Sequence, residues 1–273
     1  MRLSTRPGTL IAAGLALLAP ALALAASEGE AFAVSADVKR VVLSMPAFLL
    51  GIGLHEWAHA WVAWRLGDST PEEEGRLSLN PLDHLDPLGT LLIIGATVWH
   101  LPLLGWGKPV SIRPGAFRNP IKDKMKVALA GPMMNLAVVG VALLVHHGLS
   151  ALHDPILEHL GYVFWSNVQI LLQTLILTNA SLALFNMLPI APLDGSKVLE
   201  NFVGSRTVIT MRELEPYGII ILYGLINTPL LRYPFDAMND GTEAMKASLA
   251  WAVIFATFVA SAWFQMVRSL RLR

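Results

Sequence analysis

The chain has no cysteine among its 273 residues. Disulfides and thiolate metal sites are excluded, and any metal must be held by His, Asp or Glu. Charge is also scarce: 15% of residues are charged against 54% hydrophobic, and the mean hydropathy is +0.55. That balance lies outside the usual range of soluble domains and indicates a membrane protein. The formal net charge is zero, so charge suggests no nucleic-acid partner. No internal repeat, low-complexity tract or flexible interdomain linker is present, and the length suits one membrane domain.

Against that background one motif stands out. His55-Glu56-Trp57-Ala58-His59 lies inside an apolar run, between Val41–Leu54 and Ala60–Trp64. On a helix, residues four apart share a face, so both imidazoles can reach one metal ion. The H-E-x-x-H spacing is the zinc metalloprotease arrangement, with the glutamate as general base for the attacking water. Ionisable groups inside a membrane span are costly and functional by default. A third ligand must therefore come from elsewhere in the chain.

Apolar stretches predict membrane segments near 41–64, 125–148, 164–187, 217–232 and 247–267, with a shorter one at 88–104. At the N-terminus, Arg2 and Arg6 precede the apolar stretch 9–26, and Ala23-Leu24-Ala25 resembles a cleavage site. Residues 1–26 fit both a first transmembrane helix and a signal peptide. Residues 27–273 form the membrane-embedded domain on either alternative. The stretch 67–124 mixes turn formers and charges with a β-like Lys108-Pro109-Val110-Ser111-Ile112, and is expected to fold at the membrane surface.

Basic residues orient the spans. Lys108, Arg113, Arg118, Lys122, Lys124 and Lys126 precede the 125–148 segment, whereas 149–163 has neither Lys nor Arg. Arg268, Arg271 and Arg273 close the chain. The positive-inside rule puts both basic groups in the cytoplasm. With Arg2 and Arg6 also inside, the count closes only if 88–104 does not cross, being re-entrant or surface-lying. The expected fold is an all-α polytopic membrane protein of about six transmembrane helices, with a small β or re-entrant element between the second and third. His55 and His59 then lie near the cytoplasmic end of the second span, and the fourth span ends on that same face.

There the chain reads Asn186-Met187-Leu188-Pro189-Ile190-Ala191-Pro192-Leu193-Asp194-Gly195. Two prolines break the helix and free backbone groups that only protein or a water-filled cavity can satisfy at membrane depth. Asp194 is thereby delivered to the depth and side of the histidine pair. Two imidazoles, one carboxylate and an open position make a catalytic rather than a structural zinc site.

These residues resemble the site-2 protease family of intramembrane zinc metalloproteases. The resemblance covers most of 40–200 and includes His55-Glu56-xx-His59, Asn186-xx-Pro189-xx-Pro192-Leu193-Asp194-Gly195 and Gly131-Pro132-Met133-Met134-Asn135. Arg76-Leu77-Ser78-Leu79-Asn80-Pro81-Leu82-Asp83-His84-Leu85-Asp86-Pro87-Leu88-Gly89-Thr90 and Gly105-Trp106-Gly107-Lys108-Pro109-Val110 resemble its compact branch, without PDZ or CBS modules. The resemblance implies one Zn2+ per chain on His55, His59 and Asp194, with Glu56 as base. It also implies that Asn186 contacts substrate backbone or the oxyanion. The implied partner is a single-span membrane protein in the lipid bilayer of a bacterial or archaeal cell, cut near the cytoplasmic face.

Such a substrate must unwind locally, because its helix hides its carbonyls. A free edge at 105–113 could hold the unwound strand. For Gly131, Pro132 and Asn135 the residue types suggest packing and a helix start. His84, in a polar loop, reads as a local hydrogen-bonding residue with the metal site as the alternative. Two further classes are an inert relative that binds membrane segments and a zinc transporter. The intact His, Glu, His and Asp set opposes the first, and the absence of paired repeats opposes the second.

Overall fold

A computed structural model describes residues 36–99 and 106–226, and every described residue except Leu225 and Ile226 belongs to one compact unit, 1–224. The expected spans at 1–26 and 247–267, the end of that at 217–232 and the end of the stretch at 88–104 fall outside the described residues. The helices are α1 (Ala36–Arg65), α2 (Thr70–Glu73), α3 (Pro87–Trp99), α4 (Pro120–Ser150), α5 (His153–Asn186), α6 (Asp194–Leu199), α7 (Ser205–Leu214) and α8 (Gly218–Ile226). Among the described residues there is no strand.

Helices α1, α4 and α5 pack against one another pairwise and form the core. Two helical stretches are long and apolar enough to cross a membrane by composition, Pro120–Ser150 and Glu158–Asn186. At ~1.5 Å per residue, the 31 residues of α4 reach about 46 Å, more than a hydrocarbon core of about 30 Å. Its outer face carries exposed Met133, Val141 and Leu144, side chains that suit lipid rather than water. The start of α4 is fixed by its sequence. Asn119 accepts from Lys122 N at 3.2 Å, Asp123 Oδ2 accepts from Asn119 N at 3.0 Å, and Pro120 opens the first turn. Pro132 therefore sits inside α4 rather than starting a helix, a correction to the sequence expectation. In α5 the backbone departs from helix at Gly161, where φ is 80° and ψ is 165°. Only glycine adopts that conformation without strain.

The region between α1 and α4 returns upon itself. Leu85 and Gly107 form an isolated antiparallel bridge, and Lys108 N donates to His84 O at 2.8 Å. A Cβ on Gly89 would run into the Trp106 backbone, so the start of α3 lies against the residues that follow the excursion. The β-like segment 108–112 forms no strand. Pro109 has no N–H, and Arg76 donates to Lys108 O at 2.8 Å and Pro109 O at 2.9 Å. Those two carbonyls are occupied, so the free edge expected at 105–113 is not free there.

After α5 the chain turns through Met187–Leu193, with a cis Ala191–Pro192 peptide, into the short α6. The turn is compact because Gly195 lies against the carbonyls of Met187 and Leu188, where any Cβ would clash. Ser196 Oγ donates to Leu193 O at 2.7 Å and fixes the first turn of α6.

Candidate metal centre

The C-terminal part of α1, the N-terminal half of α4 and the start of α6 converge on one buried point. His55, His59 and Asp194 are 6%, 7% and 4% exposed. Their nearest donor atoms all lie within 4.8 Å of one another. His55 Nε2 and His59 Nε2 stand 3.2 and 3.0 Å from Asp194 Oδ2, and 3.0 Å from each other.

The protonation of this cluster follows from its outer contacts. His59 Nδ1 lies 2.7 Å from Val127 O, and His55 Nδ1 lies 2.6 Å from Asn135 Oδ1. Both partners are acceptors, so both rings carry a proton on Nδ1 and turn Nε2 to the cluster. The 3.0–3.2 Å separations would suit ion pairs were both rings doubly protonated. Two imidazoliums with their Nε2 atoms 3.0 Å apart would repel each other, and we reject that state. Nε2 of both rings and Asp194 Oδ2 thus converge on one point, and Asp194 Oδ2 is buried without a hydrogen-bond partner. Such a donor set fits a divalent cation. Tetrahedral ligation by N and O at about 2.0–2.1 Å separates donors by about 3.3 Å, close to the spacings here.

Asn135 supports the site from behind. It is fully buried, and its Nδ2 donates to Gly51 O at 3.1 Å and to Asn179 Oδ1 at 2.9 Å. Asn179 Nδ2 in turn donates to Leu175 O at 2.9 Å. One amide thereby orients His55 and ties α1, α4 and α5 together. Gly131 is a matter of room: a Cβ there would lie 2.6 Å from His55 Nε2 and still closer to His59 Nε2. The expectation that Asn135 and Gly131 serve packing was incomplete, since both touch the histidine pair.

Glu56 is half-buried and has no hydrogen-bond partner among the described residues. Its Cγ lies 3.3 Å from where a Cβ on Gly107 would be, so the bare backbone of Gly107 passes beside it. Asn186 ends α5, and its Nδ2 donates to Leu182 O at 3.0 Å in its own helix. His84 is fully buried, 2.8 Å from Ser78 O through Nε2, and its Nδ1 has no partner. Burial pushes its imidazole below the ordinary value against the opposing Ser78 hydrogen bond, so the ring is neutral. It pins the 76–84 turn beside α1 and is not one of the converging groups.

A buried His-His-Asp cluster with a free glutamate beside it, carried on apolar helices, defines a metal-dependent hydrolase within a membrane. Comparison with known proteins agrees. The profile of peptidase family M50 matches residues 94–226, which include Asn135 and Asp194. A Bacillus subtilis (strain 168) protein named "Putative zinc metalloprotease YwhC" is 37% identical over 200 residues, 72% of this chain and 86% of the relative. "Putative zinc metalloprotease Rip2" of Mycolicibacterium smegmatis is 34% identical over 235 residues, 85% of this chain and 84% of the relative. Its Mycobacterium tuberculosis (strain H37Rv) namesake is 31% identical, covering 84% of each chain. No solved structure matches. The chain belongs to peptidase family M50, the zinc metalloproteases of site-2 protease type, which act on membrane-bound substrates.

Proposed function

We propose that His55, His59 and Asp194 hold one zinc per chain, that Glu56 is the general base, and that the substrates are single-span membrane proteins cut in or near their transmembrane segments. The observation that carries this reading is the convergence of three metal-ligating atoms on a buried point beside an uncommitted carboxylate. Zinc supplies Lewis acidity there, polarising the scissile carbonyl and acidifying water. Glu56 takes the proton of the attacking water and passes it to the leaving amine. Asn135 Oδ1 and Val127 O accept from Nδ1 of His55 and His59, which leaves Nε2 of each ring as the atom turned to the metal. Asn186 meets the substrate backbone or the developing oxyanion through the N–H that its bond to Leu182 O leaves free.

The same reading carries a topology of six spans with both ends cytoplasmic, in a bacterial or archaeal cell membrane. Two observations support it. The His59–Val127 and His59–Asp194 contacts join the C-terminal part of α1 to the N-terminal part of α4 and to the start of α6, as expected if these ends share a face. That face adjoins the basic segment 108–126, which the positive-inside rule holds in the cytoplasm. The Leu85–Gly107 bridge supports a non-crossing α3, because an excursion that closes on itself returns to its side of entry.

Incubating purified protein with a single-span substrate, with and without a chelator, tests the activity. Cleavage that stops with chelator and returns with zinc is expected. Binding without cleavage would favour the inert relative, and metal uptake into vesicles the transporter. Topology has its own test. Ser111 and Ser150 are both exposed, and the chain has no native cysteine. A cysteine at 111 should react only with reagent reaching the cytoplasm, and one at 150 only from outside. External labelling at 111 would refute the six-span arrangement.

Asn135→Ala should lower zinc affinity by about 10–100-fold, the usual range for a lost partner of a metal-binding histidine. The chelator concentration that strips half the zinc measures it. An unchanged value would show that His55 does not depend on Asn135.

A further inference from the structure

Asp194 uses its two carboxylate oxygens differently. Oδ2 faces the histidine pair, whereas Oδ1 accepts from Lys197 Nζ at 3.0 Å. Lys197 lies one turn further along α6 and is rigidly delivered, because Gly195 and Ser196 anchor that turn to the 187–193 backbone. An exposed lysine–aspartate pair three residues apart on a helix contributes little. This pair differs, since the Asp194 side chain is 6% exposed while that of Lys197 is 39% exposed. The ammonium reaches inward from a polar cavity of about 120 Å³ that also meets Lys124, Ser196 and Glu200. Lys124 is itself paired with Glu200 at 2.7 Å, and Lys197 is the cation turned to the buried carboxylate.

We propose that Lys197 is a positioning residue that confines Asp194 to one donor oxygen and so keeps a coordination position open for water and substrate. This rests on Asp194 being a zinc ligand. A carboxylate can bind a metal through one oxygen or both. With Oδ1 held by an ammonium, only Oδ2 remains for the metal, and catalytic zinc sites need three protein ligands plus a vacancy. The ammonium also withdraws charge from the carboxylate, leaving the metal more electrophilic. Without Lys197, Oδ1 is free to turn to the metal, filling the vacancy and quenching hydrolysis while zinc remains bound.

The absence of native cysteine allows a chemical test. In Lys197→Cys, zinc content should stay at one per chain while cleavage falls at least about 10-fold, as when a group that orients a metal ligand is lost. Alkylating the new thiol with 2-bromoethylamine rebuilds an ammonium of nearly the original reach, and should restore most of the rate. Methyl methanethiosulfonate, which leaves an uncharged side chain, should not. With Co2+ in place of zinc, the visible bands should weaken in Lys197→Cys, as five-coordinate cobalt absorbs less than four-coordinate, and recover on aminoethylation. Parental rate and spectrum in Lys197→Cys would overturn the proposal. So would a loss of rate that aminoethylation leaves unrepaired while zinc content and monodispersity are parental. Full zinc occupancy in Asp194→Ala would instead show that the underlying ligand assignment had failed.

Discussion

Glu56→Gln should keep one zinc per chain while proteolysis falls by at least about 100-fold, the lower end for loss of a general base. The two parts of that result come from separate features of the site. None of the three converging donor atoms belongs to Glu56, and no hydrogen bond among the described residues depends on its carboxylate. Glutamine has the same shape, so it fits the half-buried space beside Gly107 without displacing the backbone there. What it lacks is basicity. An amide cannot take the proton of the attacking water at any accessible pH, whereas the carboxylate beside it in sequence to His55 can. Substrate binding does not use that proton, and the variant should co-purify with uncut substrate. Elemental analysis and a cleavage time course on one preparation decide the matter. Cleavage at the parental rate would remove Glu56 from the mechanism.

The ability to foresee such a result from the chain alone was uneven, for physical reasons. His55, Glu56 and His59 are legible because helical periodicity fixes their relation within one turn. Asp194 is legible through the prolines that break the backbone before it, and the structure brings it to within 3.2 Å of both rings. The three long helices follow from apolar runs, although α5 begins at His153, well before the apolar limit at 164, and α4 begins at Pro120 rather than 125. Asn135 was harder. It lies 80 residues from His55, and an asparagine in an apolar helix signals only that some partner exists. Gly131 carries even less local signal, since its function is an absence of atoms that matters only once α1 lies beside it. The β-like segment 108–112 forms no strand, because its residue types are a local property and its hydrogen bonding is not. Arg76, far earlier in the chain, takes the carbonyls a strand would have used.

Asp194→Ala should abolish cleavage and strip most of the zinc, an effect larger than loss of the base because it removes the site rather than one step. Only three donor atoms converge there among the described residues, and a metal left with two imidazoles is poorly held against a chelator. No nearby carboxylate replaces it. Glu56 is the nearest candidate by sequence, yet it is not one of the converging groups. The histidines should survive the change in place, since Asn135 and Val127 hold their far nitrogens independently of Asp194. Removing the carboxylate also leaves Lys197 without its inward partner, but that cation is partly exposed and can turn to the cavity. The variant should therefore fold, and its elution in detergent should match the parent. Asp194→Asn separates charge from shape: it retains an oxygen of the same reach but no anion, and zinc occupancy should fall between the parent and Asp194→Ala. Zinc per chain by elemental analysis, read alongside cleavage, gives the order expected: parent, then Asn, then Ala. Full occupancy with full activity in Asp194→Ala would mean that the third ligand lies elsewhere.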